Sequence, residues 1–181
     1  MNAATINGGD VYRNAIQLLQ QRGVQLEDIA ELVMFLQKDY IPDLERQTCL
    51  DSVQAVLQKR EVQNALLTGI QLDMLAEQNR LISPLQEMMM RDEPLYGVDE
   101  VMSLAILNIY GSIGLTNYGY IDKLKYGILE RLNDKQYGVH TFLDDLVGAI
   151  AAAASSRIAH NYYEREEERQ HMKERFNQTV K

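Results

Sequence analysis

Apolar residues recur at three- and four-residue steps along almost the whole chain, and no segment shows the two-residue alternation of a half-buried strand. Between 11 and 22, Ala15, Leu18 and Leu19 share one side, with Asp10 placed as a cap and Gly23 as a stop. Residues 25–40 repeat the pattern through Leu26, Ile29, Ala30, Val33, Phe35 and Leu36, until Pro42 ends it. Thr48 is placed to cap a third helix through Val53, Val56 and Leu57. Lys59-Arg60 then marks either its last turn or a kink before a helix reaching about Gln78. There Glu61, Asn64, Thr68 and Gln71 form a polar stripe opposite Val62, Leu66 and Ile70, a solvated face in the first reading and the wall of a polar cavity in the second. Ser83-Pro84 suits the opening of a short helix through Leu85, Met88 and Met89.

Two later stretches dominate the pattern. From Tyr96 to Tyr110 apolar residues surround the helix on nearly every side, which predicts a buried central helix near 98–110. After a Gly-rich connection, Gly111–Gly119, the last helix begins near Thr141, whose spacing to Asp144 has the shape of a capping box. On it Phe142, Leu146, Ala149, Ile150 and Ala153 form a core stripe, while Asp145, Gly148, Ala152 and Ser156 form a second stripe almost bare of side chain. Past His160 the sequence turns highly charged. The expectation is an all-α fold: a single-domain helical bundle over 1–160 with a charged helical extension over 161–181.

Composition narrows the function classes. A formal net charge of −8 speaks against a nucleic-acid face and against purely electrostatic adhesion to anionic lipid, both of which need clustered Lys and Arg. Cys49 is the single cysteine, so no internal disulfide forms and a reducing cytosol is expected. The N-terminus lacks a basic start and an apolar core of the signal-peptide kind, and no apolar run approaches the roughly 18 residues of a membrane span.

The candidate chemistry lies in paired acids. Asp144 and Asp145 stand at a helix start and offer the hard oxygen ligands that Mg²⁺ prefers, although first-turn acids also complement the helix dipole. Asp99 and Glu100 open the helix predicted to be central, where an unpaired carboxylate pair demands a cation or another partner. Asp122, Lys123 and Lys125 fall within four residues: a lysine suits a phosphate oxygen, and Asp122 suits a metal or a lysine. Cys49 has no basic neighbour motif that would make a thiolate.

Gly97-Val-Asp-Glu-Val, Asp122-Lys-Leu-Lys-Tyr-Gly and Gly138 through Asp144-Asp-Leu-Val-Gly-Ala-Ile, in this order, resemble the signature of phosphatidylglycerophosphatase A. They are closer still to its soluble Gram-positive branch, the low-temperature-requirement C proteins. The signature covers 96–150. Lys125 is followed by Tyr126 where the family has Pro, and no Pro-Gly-Thr-x-Gly-Ser loop occurs. The resemblance implies a Mg²⁺-dependent phosphatase that converts phosphatidylglycerophosphate to phosphatidylglycerol. By it Asp99, Glu100, Asp144 and Asp145 become the catalytic and metal-binding candidates, and Asp122 and Lys125 match its Asp-x-x-Lys element; from the charges alone, Lys123 or Lys125 is expected to bind phosphate oxygens. Glu61, Asp122 and Thr141 stand as supporting residues. The expected partner is a phospholipid phosphate, with at most peripheral contact at the inner membrane face and a homo-oligomer as an option. Two other readings stay open: a non-catalytic helical module for a phosphorylated headgroup or protein partner, and an all-α nucleotide pyrophosphohydrolase.

Overall fold

The computed structural model describes residues 7–179, and among these there are helices and no strand. Nine α-helices follow in order: α1 Gly8–Gln21, α2 Leu26–Gln37, α3 Arg46–Leu57, α4 Arg60–Glu77, α5 Leu85–Arg91, α6 Val98–Leu107, α7 Gly111–Leu124, α8 Ile128–Asn133 and α9 Leu143–Thr179. A single 3₁₀ turn, Lys135–Tyr137, precedes the last. No helix among the described residues is long and apolar enough to cross a membrane.

Several boundaries differ from the sequence pattern. Asn7 caps α1, its side chain accepting from the Gly9 amide, so Asp10 lies inside the helix and pairs with Arg13. Helix α3 starts before Thr48, with Glu45 at its N-cap. Lys59 takes an extended backbone and splits α3 from α4. Glu61, Asn64, Thr68 and Gln71 face solvent, as the first reading of that stripe had it. The Gly-rich 111–119 segment is no connection but the body of α7, with Gly114 set close against Tyr110 and Leu107.

The centre of the bundle is α9, not the 98–110 stretch. Every residue from Asp145 to Ser156 is buried, and α2, α3, α4, α6, α7 and α8 all pack on this half-helix. Its Ala151–Ala154 and Ser155-Ser156 run explains why: side chains this small let several helices reach the backbone at once, and burial is gained from the neighbours' Leu, Ile and Val. Two serines fasten the contacts, Ser52 Oγ donating to the Ala154 carbonyl at 2.9 Å and Ser156 Oγ to that of Tyr110 at 2.7 Å. Gly69 on α4 packs so tightly that a Cβ there would lie 2.6 Å from Leu146 Cδ1 and 2.9 Å from Phe142 Cβ. Helix α6 is instead peripheral. One side packs on α4 and α9, while Val98, Val101 and Leu104 stand exposed, Val101 at 64%. An all-round apolar pattern here marks one surface packed in the bundle and one left exposed.

Candidate metal and phosphate site

The start of α9 is positioned by contacts from four other segments. Thr141 does not cap it: the hydroxyl donates to the Met89 carbonyl at 2.9 Å. The cap comes from across the bundle, where Asp73 on α4 accepts from the amides of Phe142 at 3.1 Å and Leu143 at 3.0 Å, one on each carboxylate oxygen. Asp73 is 0% exposed. Burial pushes its carboxyl well above the usual range, while the two amides and Arg22 pull it back. Just ahead, Glu77 accepts two bonds from Arg22, at 2.7 and 2.8 Å, and one from the Val139 amide at 2.9 Å. These bonds hold its carboxyl below the ordinary value, Arg22 contributing most. His140 Nδ1 lies 3.0 Å from the Leu132 carbonyl, which can only accept, so the ring donates there. Burial, then Arg22, lowers the ring's pKa and keeps it neutral. Tyr96 closes edge-on over Phe142, ring centres 5.8 Å apart.

On this fixed start the acids of two helices meet. One oxygen from each of Asp99, Glu100 and Asp145 lies within 4.8 Å of the others. Asp99 and Asp145 are buried, whereas Glu100 is exposed. Burial, then a hydrogen bond shared with the Glu100 carboxyl, raises Asp99 to about 7. Burial, then the Asp144 charge, raises Asp145 to about 8. Acids that raise one another's pKa in this way form a place where positive charge is missing. Three hard carboxylate oxygens this close to one another suit a hard divalent cation better than a softer one.

Asp144 belongs to a neighbouring arrangement. Lys125 Nζ donates to Asp144 Oδ2 at 2.9 Å and to Asp122 Oδ1 at 2.5 Å. Burial opposes the ammonium's charge, but Asp144 and Asp122 override it and hold the lysine well above its ordinary pKa. The chain places that lysine by ending α7 on it: Lys125 takes a left-handed backbone, φ 47°, and Gly127 at φ 60° turns the chain into α8. Asp144 also lines a cleft of about 260 Å³ with Glu77, Met89, Asp92, Lys135 and His140. Lys123 is exposed on the solvent side of α7. Glu61 is exposed at the first turn of α4, about 18 Å along that helix from Asp73 by the rise per residue. Cys49 is buried, and burial raises its thiol to about 11, which makes it inert.

Three residues near the acids carried no assignment from sequence. Asp73 falls on the same stripe as Val62, Leu66 and Ile70, and an acid on an apolar stripe was the available signal. Ser103 and Tyr118 gave none, being ordinary residues of apolar helices.

Comparison with known proteins finds relatives in sequence and in fold. The uncharacterized protein YutG of Bacillus subtilis is 67% identical over 143 residues, covering 78% of this chain and 86% of that protein. A second B. subtilis protein, YpjQ, is 52% identical over 158 residues, covering 87% and 89%. The crystal structure of the low temperature requirement C protein from Listeria monocytogenes superposes with a TM-score of 0.84 at 58% identity, covering 87% of this chain and 99% of that one. The crystal structure of YpjQ gives a TM-score of 0.84 at 50% identity over 88% of this chain and 99% of that one. Residues 15–160, which hold every acid of the site, match the family model described as phosphatidylglycerophosphatase A, and the chain belongs to that family.

Proposed function

We propose that this protein is a Mg²⁺-dependent phosphatase that hydrolyses the phosphate monoester of phosphatidylglycerophosphate to phosphatidylglycerol. The observation that carries the reading is the meeting of Asp99, Glu100 and Asp145 within 4.8 Å, from helices far apart in sequence, in a chain of this family. These three residues would hold the metal, which when bound neutralises phosphate charge and acts as a Lewis acid. Asp144 stays outside that set and accepts from Lys125, whose charge opposes the burial that raises its carboxyl. Facing the cleft, it is the group placed to take a proton from the attacking water. A bond forms between water oxygen and phosphorus, the bond from phosphorus to the glyceryl oxygen breaks, and the lipid alcohol leaves with a proton from solvent. Lys125 keeps Asp144 and Asp122 in place and lends its positive charge to the phosphate side.

The lipid part of the substrate fits the outer side of α6. Between residues 95 and 121 the only charged side chains are Asp99 and Glu100. Leu95, Val98, Val101 and Leu104 stand exposed, and Glu100 sits one helical turn before Leu104, at the border of this apolar face. A headgroup held at the acids would therefore have its acyl portion beside an apolar surface, and peripheral contact with a bilayer through α6 follows.

Phosphate release from phosphatidylglycerophosphate in mixed micelles tests the reading, with Mg²⁺ titrated in and then removed by chelation. Release that rises with Mg²⁺ and disappears in Asp145→Asn supports it. Headgroup binding without release at any Mg²⁺ concentration replaces it with the non-catalytic binding module.

A further inference from the structure

Two hydroxyls beside the acidic site are buried and make no hydrogen bond among the described residues: Ser103 Oγ and Tyr118 OH, in residues 0% and 8% exposed, with the Asp145 carboxyl near the phenol. A buried hydroxyl without a partner is disfavoured and uncommon in folded proteins, so each such case asks for a missing ligand.

Their placement is specific. Ser103 follows Asp99 by four residues on α6, one turn further along the same buried side. Tyr118 crosses the bare stripe of α9: a Cβ on Gly148 would lie 3.6 and 3.7 Å from its ring carbons, and Gly148 is three residues past Asp145. The Asp145 charge acts on the Tyr118 phenol, after burial the largest influence on it, and the Ser103 hydroxyl acts on it too. The tyrosine ring thus lies over Gly148 at ordinary van der Waals distance, and its hydroxyl lies near Ser103 and Asp145.

We propose that the Ser103 and Tyr118 hydroxyls are binding residues for an oxyanion, each donating a hydrogen bond to an oxygen of a phosphate group held at the acidic site. The proposal rests on the phosphate-ester reading given above and adds the residues that receive the phosphate. A phosphate brought to three carboxylates needs donors that do not neutralise the carboxylates themselves. Lys125 is already engaged by Asp122 and Asp144, whereas hydroxyls donate without adding charge. The same oxygens belong to free phosphate and to a lipid phosphomonoester, so both are ligands by this chemistry.

The test uses the full chain with Mg²⁺ and titrates orthophosphate, glycerol phosphate and phosphatidylglycerophosphate micelles calorimetrically against wild type, Tyr118→Phe and Ser103→Ala. Mg²⁺ affinity without phosphate and thermal stability are measured alongside. Each substitution is expected to weaken orthophosphate binding about tenfold, the share of one hydrogen bond to a charged acceptor. Mg²⁺ affinity should stay within about twofold and Tm should be unchanged or higher, because a buried orphan is removed. A loss confined to micelles, with orthophosphate binding intact, overturns the proposal in favour of a contact to the lipid portion. Unchanged phosphate affinity overturns it outright. An equal loss of Mg²⁺ affinity also overturns it, assigning the hydroxyls to holding Asp145. Wild type that binds orthophosphate through the pair yet releases none from the lipid keeps this inference and removes the hydrolase reading. Hydrolysis that is indifferent to both substitutions does the reverse.

Discussion

Asp145→Asn is the perturbation that separates a metal-binding acid from one that merely decorates a helix start. Asp145 is buried on α9, and burial with the Asp144 charge lifts its carboxyl from 3.8 to about 8. An acid whose folded pKa is raised keeps a proton in the native state that the unfolded chain has already lost. Stability contributed by this group therefore falls as pH rises through the window from about 4 to about 8, by up to about 1.4 kcal/mol per pH unit. Between about pH 6 and about pH 8.5 the metal-free protein should lose roughly 2–3 kcal/mol on this account, or about 5–10 °C in Tm for a chain of this size. Asparagine is nearly isosteric and does not ionise, so the metal-free variant should show a flatter pH slope and a higher Tm than wild type at about pH 8.5. Mg²⁺ should raise the wild-type Tm more at about pH 8.5 than at about pH 6, because it binds the ionised set, and should do little for the variant. Phosphate release should fall at least about hundredfold. Thermal scans at two pH values, with and without Mg²⁺, read all of this. A variant that keeps the wild-type pH slope and the full Mg²⁺ shift would remove Asp145 from the site.

Asp73→Ala leaves the Phe142 and Leu143 amides buried without an acceptor and should cost about 2–3 kcal/mol in urea unfolding. Gly138→Ala meets a backbone at φ 133° and places a Cβ 2.5 Å from Glu77 Oε1, so it should cost about 1–3 kcal/mol and reduce phosphate release, measured on the same samples. Cys49, buried and raised to about 11, should resist thiol reagents in the native protein and react at the rate of global unfolding, followed by mass spectrometry along a urea series. Val101→Asp with Leu104→Asp should leave Tm near wild type and abolish co-sedimentation with phosphatidylcholine vesicles. A wild-type dimer that these changes convert to a monomer, with vesicle binding intact, would assign the α6 face to a second copy instead.

The helices were legible because their signal is local: a four-residue repeat such as Val62, Leu66, Ile70 specifies which side is buried whatever lies opposite. The adjacency of Asp99 to Glu100 and of Asp144 to Asp145 was legible for the same reason. What stayed hidden depends on partners remote in sequence. Thr141 and Asp144 have the spacing of a capping box, yet a residue some seventy positions earlier, Asp73, takes the cap, and Asp144 turns to Lys125. Helix 98–110 has the composition of a central element, but centrality belongs to the helix that neighbours can approach most closely. The Ala-Ser run of α9 meets that condition better than the larger side chains of α6. Orphan hydroxyls leave no trace in a sequence, since Ser103 and Tyr118 are defined by making no hydrogen bond among the described residues.

The same packing explains how the fold tolerates a site that opposes its own stability. Asp99, Asp144 and Asp145 are each raised with burial as the leading cause, which means each disfavours the folded state at neutral pH when no cation is present. These costs fall on the first turn of α9 and the first turn of α6. The following turns of α9 carry Leu146, Val147, Ile150 and the alanines at 0% exposure, where apolar burial is as complete as it can be. Placing the acids at the head of the most buried helix couples the two: α9 cannot relax its first turn outward to relieve repulsion without dragging Leu146 away from Gly69. Mg²⁺ binding is then expected to act locally and thermodynamically, raising stability without moving a helix. A metal-induced rise in Tm with no change in far-ultraviolet circular dichroism is the outcome this reasoning requires, whereas a large gain of helix on adding Mg²⁺ would show that the acids are not assembled beforehand.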